Sequence, residues 1–313
     1  MAIIIAIGIV LALSVVAGAI YLYSPPKALD VLNSLFPGDG GVARVGSAAY
    51  RPGENGGLDI WATKPIAGPS KPVLVFFYGG AWVKGRREDY GFVAKAYAAR
   101  GFVVVLADYR KVPAVHFPAY VDDGAAAVRW THDNIARFGG DPGRIVLAGH
   151  SAGAYIAVML ALDRHYLTDA GVDPAVIRAA AGLAGPYDFY PFDSARAVAA
   201  MGNAPDPRQT QPITVARSDA PPLWLATGLD DTEVKPRNAI ALAARAQSLG
   251  DHTAILATYS GLDHNDIIMA ISKPFRNKAP ILDDSIAFFT AALSGQPQIS
   301  KREDDGAPRV ARQ

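Results

Sequence analysis

The chain has 313 residues, room for one α/β domain of roughly 200 to 250 residues with segments to spare. Hydrophobic residues make up 50% and charged residues 19%, too apolar for a disordered chain and too mixed for a protein with many membrane spans. The formal net charge is +1 and cysteine is absent, which leaves no electrostatic footprint for nucleic acid and removes disulfides, thiolate metal sites and cysteine nucleophiles.

Residues 2–23 carry no charged side chain and are rich in Ile, Val, Leu and Ala, a length that at ~1.5 Å per residue crosses a hydrocarbon core. They predict a transmembrane anchor, with Tyr21 and Tyr23 at one interface, Ser24-Pro25-Pro26 ending the helix and Lys27 at headgroup depth. A cleaved signal, leaving a secreted or periplasmic protein, is the alternative. Ala17-Gly18-Ala19 supplies its small residues, but the usual Lys or Arg before the apolar run is missing. A membrane is therefore the expected macromolecular partner, nucleic acid is not, and oligomeric state stays open.

Residues 24–70 read as a lead-in, in which the turns Pro37–Gly41 and Arg51–Gly57 flank short extended pieces such as Leu58–Ala62. From 71 to 293, short β-branched or apolar runs alternate with helical stretches. The runs are Val73–Phe77, Val103–Leu106, Ile145–Ala148, Leu223–Ala226 and Thr253–Tyr259, and the helices are expected at Tyr90–Arg100, Val121–Phe138, Ala152–Leu162 and Pro236–Leu249. Such alternation predicts a doubly wound, mostly parallel sheet with helices on both faces and its site in the loops at the strands' carboxyl ends. Residues 294–313 are polar and aperiodic and read as a disordered tail.

Four strand-to-helix loops carry chemistry. Tyr78-Gly79-Gly80-Ala81-Trp82 follows the first core strand, where backbone N–H groups of Gly79 and Gly80 can face a developing oxyanion. Gly149-His150-Ser151-Ala152-Gly153 is a G-x-S-x-G between a strand and a helix. It makes Ser151 the candidate nucleophile and the N–H of Ala152 a third oxyanion donor. Asp231, with Asp230 beside it, follows the strand at Leu223, and His264 follows the strand ending at Tyr259, giving the order Ser, acid, His. His132 and His165 sit among helical residues and read as surface or packing histidines, and no His pair has the spacing of a helical zinc site.

Together these motifs resemble the hormone-sensitive-lipase-like and carboxylesterase branch of the α/β-hydrolases across roughly Lys71 to Leu293, with Asp108-Tyr109-Arg110, Phe117-Pro118-Ala119 and Phe138–Pro142 as further matching elements. The chain is also similar to prenylcysteine-methylesterase-like and kynurenine-formamidase-like enzymes. Where that branch has H-G-G-G, this chain has Tyr78 for the His and Ala81 for the last Gly. The resemblance implies the α/β-hydrolase fold and a serine esterase acting on small-molecule esters, and a membrane anchor would favour apolar ones by proximity. Asp108 to Arg110 are expected to buttress the site, and residues 187–221 to form a short cap over it. The reaction expected is acyl transfer through Ser151, His264 and Asp231, with no cofactor or metal. Amide or formamide hydrolysis and peptidase-like activity use the same groups, and a catalytically silent, membrane-tethered binding module is the rival from another class.

Overall fold

Val73–Phe77 and Val103–Ala107 are buried at every position, as strands covered on both faces must be. The computed structural model describes residues 25–66, 68–250 and 253–296. The expected anchor at 2–23 lies outside these, as does the expected tail beyond residue 296. Among the described residues no helix is long and apolar enough to cross a membrane.

The strands are β1 (Val42–Ala49), β2 (Gly57–Thr63), β3 (Lys71–Phe77), β4 (Val103–Ala107), β5 (Gly140–His150), β6 (Ile177–Leu183), β7 (Leu223–Gly228) and β8 (Ala254–Tyr259). They form one sheet in the order β1-β2-β4-β3-β5-β6-β7-β8. The pairs β1/β2 and β2/β4 are antiparallel, and the rest are parallel. The lead-in strands therefore extend the main sheet. After β4 the chain crosses back to place β5 on the other side of β3, so the strand order reverses between β3 and β5. A crevice opens at the carboxyl ends of strands at such a switch point.

The helices are α1 (Pro25–Ser34), α2 (Gly91–Ala98), α3 (Ala119–Asn134), α4 (Ala152–Leu162), α5 (Arg164–Asp169), α6 (Ala195–Met201), α7 (Arg237–Ser248), α8 (His264–Met269) and α9 (Ile281–Ser294). Every residue of α4 is buried, because it packs on β5, β6 and β3 beneath other segments. An all-round apolar sequence is what such a position requires. The helix expected at Val121–Phe138 is α3 followed by a tighter turn, Ile135–Phe138, which Gly139 closes in the left-handed conformation. Ser294, expected as the first residue of the tail, ends α9, and Gly295 caps it at φ 68°.

Candidate active site

The chain turns from β5 into α4 within one residue. Ser151 makes that turn at φ 54° and ψ −121°, a conformation that strains any residue with a side chain. Its N–H donates to the Leu183 carbonyl at 2.8 Å, and its carbonyl accepts from Tyr155 N at 3.1 Å. A methyl on Gly149 would strike the Gly153 carbonyl, and one on Gly153 the Phe77 carbonyl. Glycine at both places lets strand and helix approach closely enough to hold the serine in its turn.

The loop after β3 passes directly over this turn: a methyl on Gly79 would lie 3.2 Å from Ser151 Cβ and 2.9 Å from His150 Nδ1. Gly80 has φ 137°, and Ala81 and Trp82 follow at 52° and 60°. Two adjacent strained residues mark a backbone shaped by its surroundings. The Gly80 carbonyl accepts from Val83 N and Lys84 N, each at 3.1 Å. Ala152, as the first residue of α4, has an N–H with no acceptor inside its helix.

Beneath the loop, Tyr78 is buried and stacks on Tyr109 at 4.7 Å and on Tyr90 at 5.7 Å. Its hydroxyl donates to Asp108 Oδ1 at 2.9 Å and accepts from Lys111 Nζ at 2.9 Å. Tyr109 donates to the Tyr78 carbonyl at 2.9 Å, and Arg87 reaches Asp108 through both its guanidinium and its N–H. Arg110 is held by Asp123 through its N–H and Nε. Asp108 and Tyr109 thus brace Tyr78 at the base of the loop, while Arg110 ties this stretch to α3 instead. Burial pushes the Tyr78 phenol up, with Tyr109 and Asp108 adding to it, and pushes the Lys111 ammonium down.

Across the crevice, Asp231 Oδ2 accepts from His264 Nδ1 at 2.8 Å. The other oxygen, Oδ1, accepts from Glu233 N at 2.9 Å and Val234 N at 2.8 Å. Asp231 is 3% exposed, while Asp230 is open to solvent. His264 opens α8, whose start is fixed by a reciprocal cap: Asp263 accepts from Asn265 N and Asp266 N, and Asp266 accepts from Asp263 N. His150 Nε2 lies 3.1 Å from the His264 carbonyl, so His264 sits against the residue that precedes Ser151. His150 is the contributor that motif reading passed over. Its signal was available, because the residue before a nucleophile ends the strand and shares its crevice.

Residues 58–246 match the BD-FAE family. The chain belongs to the BD-FAE family. It is 28% identical over 243 residues to Esterase LipQ of Mycobacterium tuberculosis, covering 71% of this chain and 57% of that protein. It is 30% identical over 264 residues to the isoprenylcysteine alpha-carbonyl methylesterase ICME of Arabidopsis thaliana, covering 77% of this chain and 58% of that protein. The chain thus spans somewhat over half the length of these curated relatives. Esterase B from Lactobacillus rhamnosis, in an inhibited crystal form, superposes with a TM-score of 0.74 at 17% identity, over 91% of this chain and 97% of that one. The shared architecture is the α/β-hydrolase fold.

In this BD-FAE chain the segment 187–215 lies over the carboxyl end of the sheet. Asn238 Oδ1 accepts from Tyr187 N at 3.0 Å and Asp188 N at 2.9 Å, and Gln211 Oε1 accepts from Phe189 N at 2.7 Å. Tyr155 of α4 donates to the Thr210 carbonyl at 2.7 Å. Phe117 N donates to the Ala200 carbonyl at 2.9 Å, and His116 Nδ1 lies 2.7 Å from the Ala199 carbonyl. Trp82, next to the strained loop, stacks on Phe189 at 6.0 Å and meets Tyr155 edge-on at 5.4 Å. An aromatic wall therefore joins the loop after β3 to this BD-FAE chain's overlying segment.

Proposed function

We propose that the chain hydrolyses carboxylic esters through a serine nucleophile and an acyl-enzyme. Ser151 Oγ attacks the ester carbonyl while His264 Nε2 takes its proton, and Asp231 holds the imidazole in the tautomer that leaves Nε2 free to accept it. Gly79, Gly80 and Ala152 donate N–H groups to the resulting oxyanion. Collapse of the intermediate expels the alcohol, which takes the proton from His264. Water then attacks the acyl-Ser151 ester with His264 again as base, releasing the carboxylic acid and restoring the serine.

The observation that carries this reading is a serine on a strained, glycine-flanked turn across from a buried carboxylate–imidazole pair. A scaffold or binding module has no use for that strain. The relatives named as esterases and as an alpha-carbonyl methylesterase favour esters over amides. Segment 187–221 is the proposed cap, with Trp82 and Phe189 in the wall facing the substrate. The test is hydrolysis of p-nitrophenyl acetate and butyrate by the full chain beside Ser151→Ala and His264→Ala, with fluorophosphonate labelling in parallel. Turnover and labelling that vanish in Ser151→Ala carry the proposal; a folded wild-type chain that neither turns over nor labels overturns it.

A further inference from the structure

His150 stands between the two halves of the crevice. Its side chain is 5% exposed, and its Nε2 lies 3.1 Å from the His264 carbonyl, a contact that only a protonated Nε2 can make as donor. Its imidazole centroid is 4.8 Å from that of His264, with the planes at 42°. Its Nδ1 is buried without a hydrogen-bond partner, and a methyl on Gly79 would come within 2.9 Å of it. One ring therefore touches the backbone of the base, the ring of the base and the loop over the nucleophile.

We propose that His150 is a positioning residue for the reaction assigned above. Its Nε2–H pins the backbone that carries His264, and its uncharged ring forms the wall against which the His264 imidazole rests when protonated. The proposal rests on the serine-hydrolase reading. During acyl transfer His264 becomes a cation, and a second cation 4.8 Å away would oppose it. An uncharged ring offers no such opposition. Burial and then the His264 charge push the His150 imidazole down to about 3, so the ring stays uncharged across the pH range in which an imidazole base works. Asp231 faces His264 from the β7 side, Asp263 and Asp266 flank it in α8, and His264 is the titratable group whose charge reaches His150.

Three variants of the full chain test this. His150→Phe keeps a ring and removes the donor, His150→Gln restores a donor near the Nε2 position, and His150→Asp sets a carboxylate beside the base. The readouts are kcat and KM on p-nitrophenyl butyrate, the acidic limb of the kcat/KM profile, and the downfield NMR resonance of the proton between His264 and Asp231. The Phe variant should lose kcat roughly 10- to 100-fold, the effect of a small misplacement, with KM little changed and the resonance shifted. The Gln variant should recover most of that loss. The Asp variant should move the acidic limb to higher pH by about one unit, because an adjacent anion favours the imidazolium.

Wild-type kcat and an unmoved resonance in the Phe variant overturn the proposal, as does a Gln variant as impaired as the Phe one. If the Phe variant does not fold, an unmoved acidic limb in the Asp variant overturns it alone. Failure of the ester reading would look different: wild type itself would be silent on esters while the resonance still reported the coupling between His150 and His264.

Discussion

Asp231 spends one carboxylate oxygen on His264 and the other on the amides of Glu233 and Val234. The backbone therefore fixes the carboxylate, and the carboxylate fixes the ring. Asp231→Asn should lower kcat about 10⁴-fold by favouring the wrong tautomer, with KM within a few-fold of wild type. Asp230 is exposed, so Asp230→Asn should be neutral. Steady-state kinetics of the two variants checks both expectations, and a larger effect at Asp230 would reverse the assignment.

The turn at Ser151 trades stability for position. Ser151→Gly should be more stable than Ser151→Ala by about 1 kcal/mol, because glycine alone relaxes at positive φ. Both should be inactive. Gly153→Ala should destabilise by about 1–3 kcal/mol or more, since its methyl would run into the Phe77 carbonyl. Urea unfolding of the three variants gives the ordering.

His150 ties stability to pH. Its folded value of about 3 lies below the ordinary 6.5, so in acid the unfolded chain binds a proton that the folded chain refuses. Stability from this residue is complete above the unfolded value and is lost as pH falls from about 6.5 towards 3 at about 1.4 kcal/mol per unit. His150→Gln removes the titration. Relative to it, the wild type should lose thermal stability between pH 7 and 4.5, and parallel curves for the two proteins would contradict the expectation.

Tyr78→Phe deletes the hydroxyl that donates to Asp108 and accepts from Lys111. The ring stack on Tyr109 survives, so the loss should be about 1–3 kcal/mol, the cost of leaving buried polar groups underserved. Thermal unfolding measures it. A fall in kcat larger than any rise in KM would show that the loss reaches the Gly79–Gly80 loop.

The central strands and the helix that follows Ser151 were legible because burial leaves continuous apolar runs in the sequence, as at Val73–Phe77 and Ala152–Leu162. Strand β6 was not, because Ile177–Leu183 holds three consecutive alanines. Alanine favours helix, but here small side chains let α4 lie close on the sheet. Strand β1 is a part-exposed edge with an irregularity between Arg44 and Gly46, so its alternation is broken. The motif residues were readable one by one. What no spacing reveals is which distant side chains meet them, as Asp108 meets Tyr78.

Most of the hydrogen bonds that tie the segment 187–215 to the rest of the chain end on its main chain, at the N–H groups of Tyr187 and Asp188 and the carbonyls of Ala199, Ala200 and Thr210, while Tyr120 reaches the Met201 sulfur at 2.8 Å. Placement of the segment therefore leans on its backbone together with a few buried side chains, Tyr187, Met201 and Gln211 among them, and on the Phe189 ring against Trp82. Positions such as Tyr190 and Phe192, which are not buried, can change over evolutionary time, or in a mutant library, without unseating that backbone. Variation can accumulate at those positions while the strands beneath stay untouched.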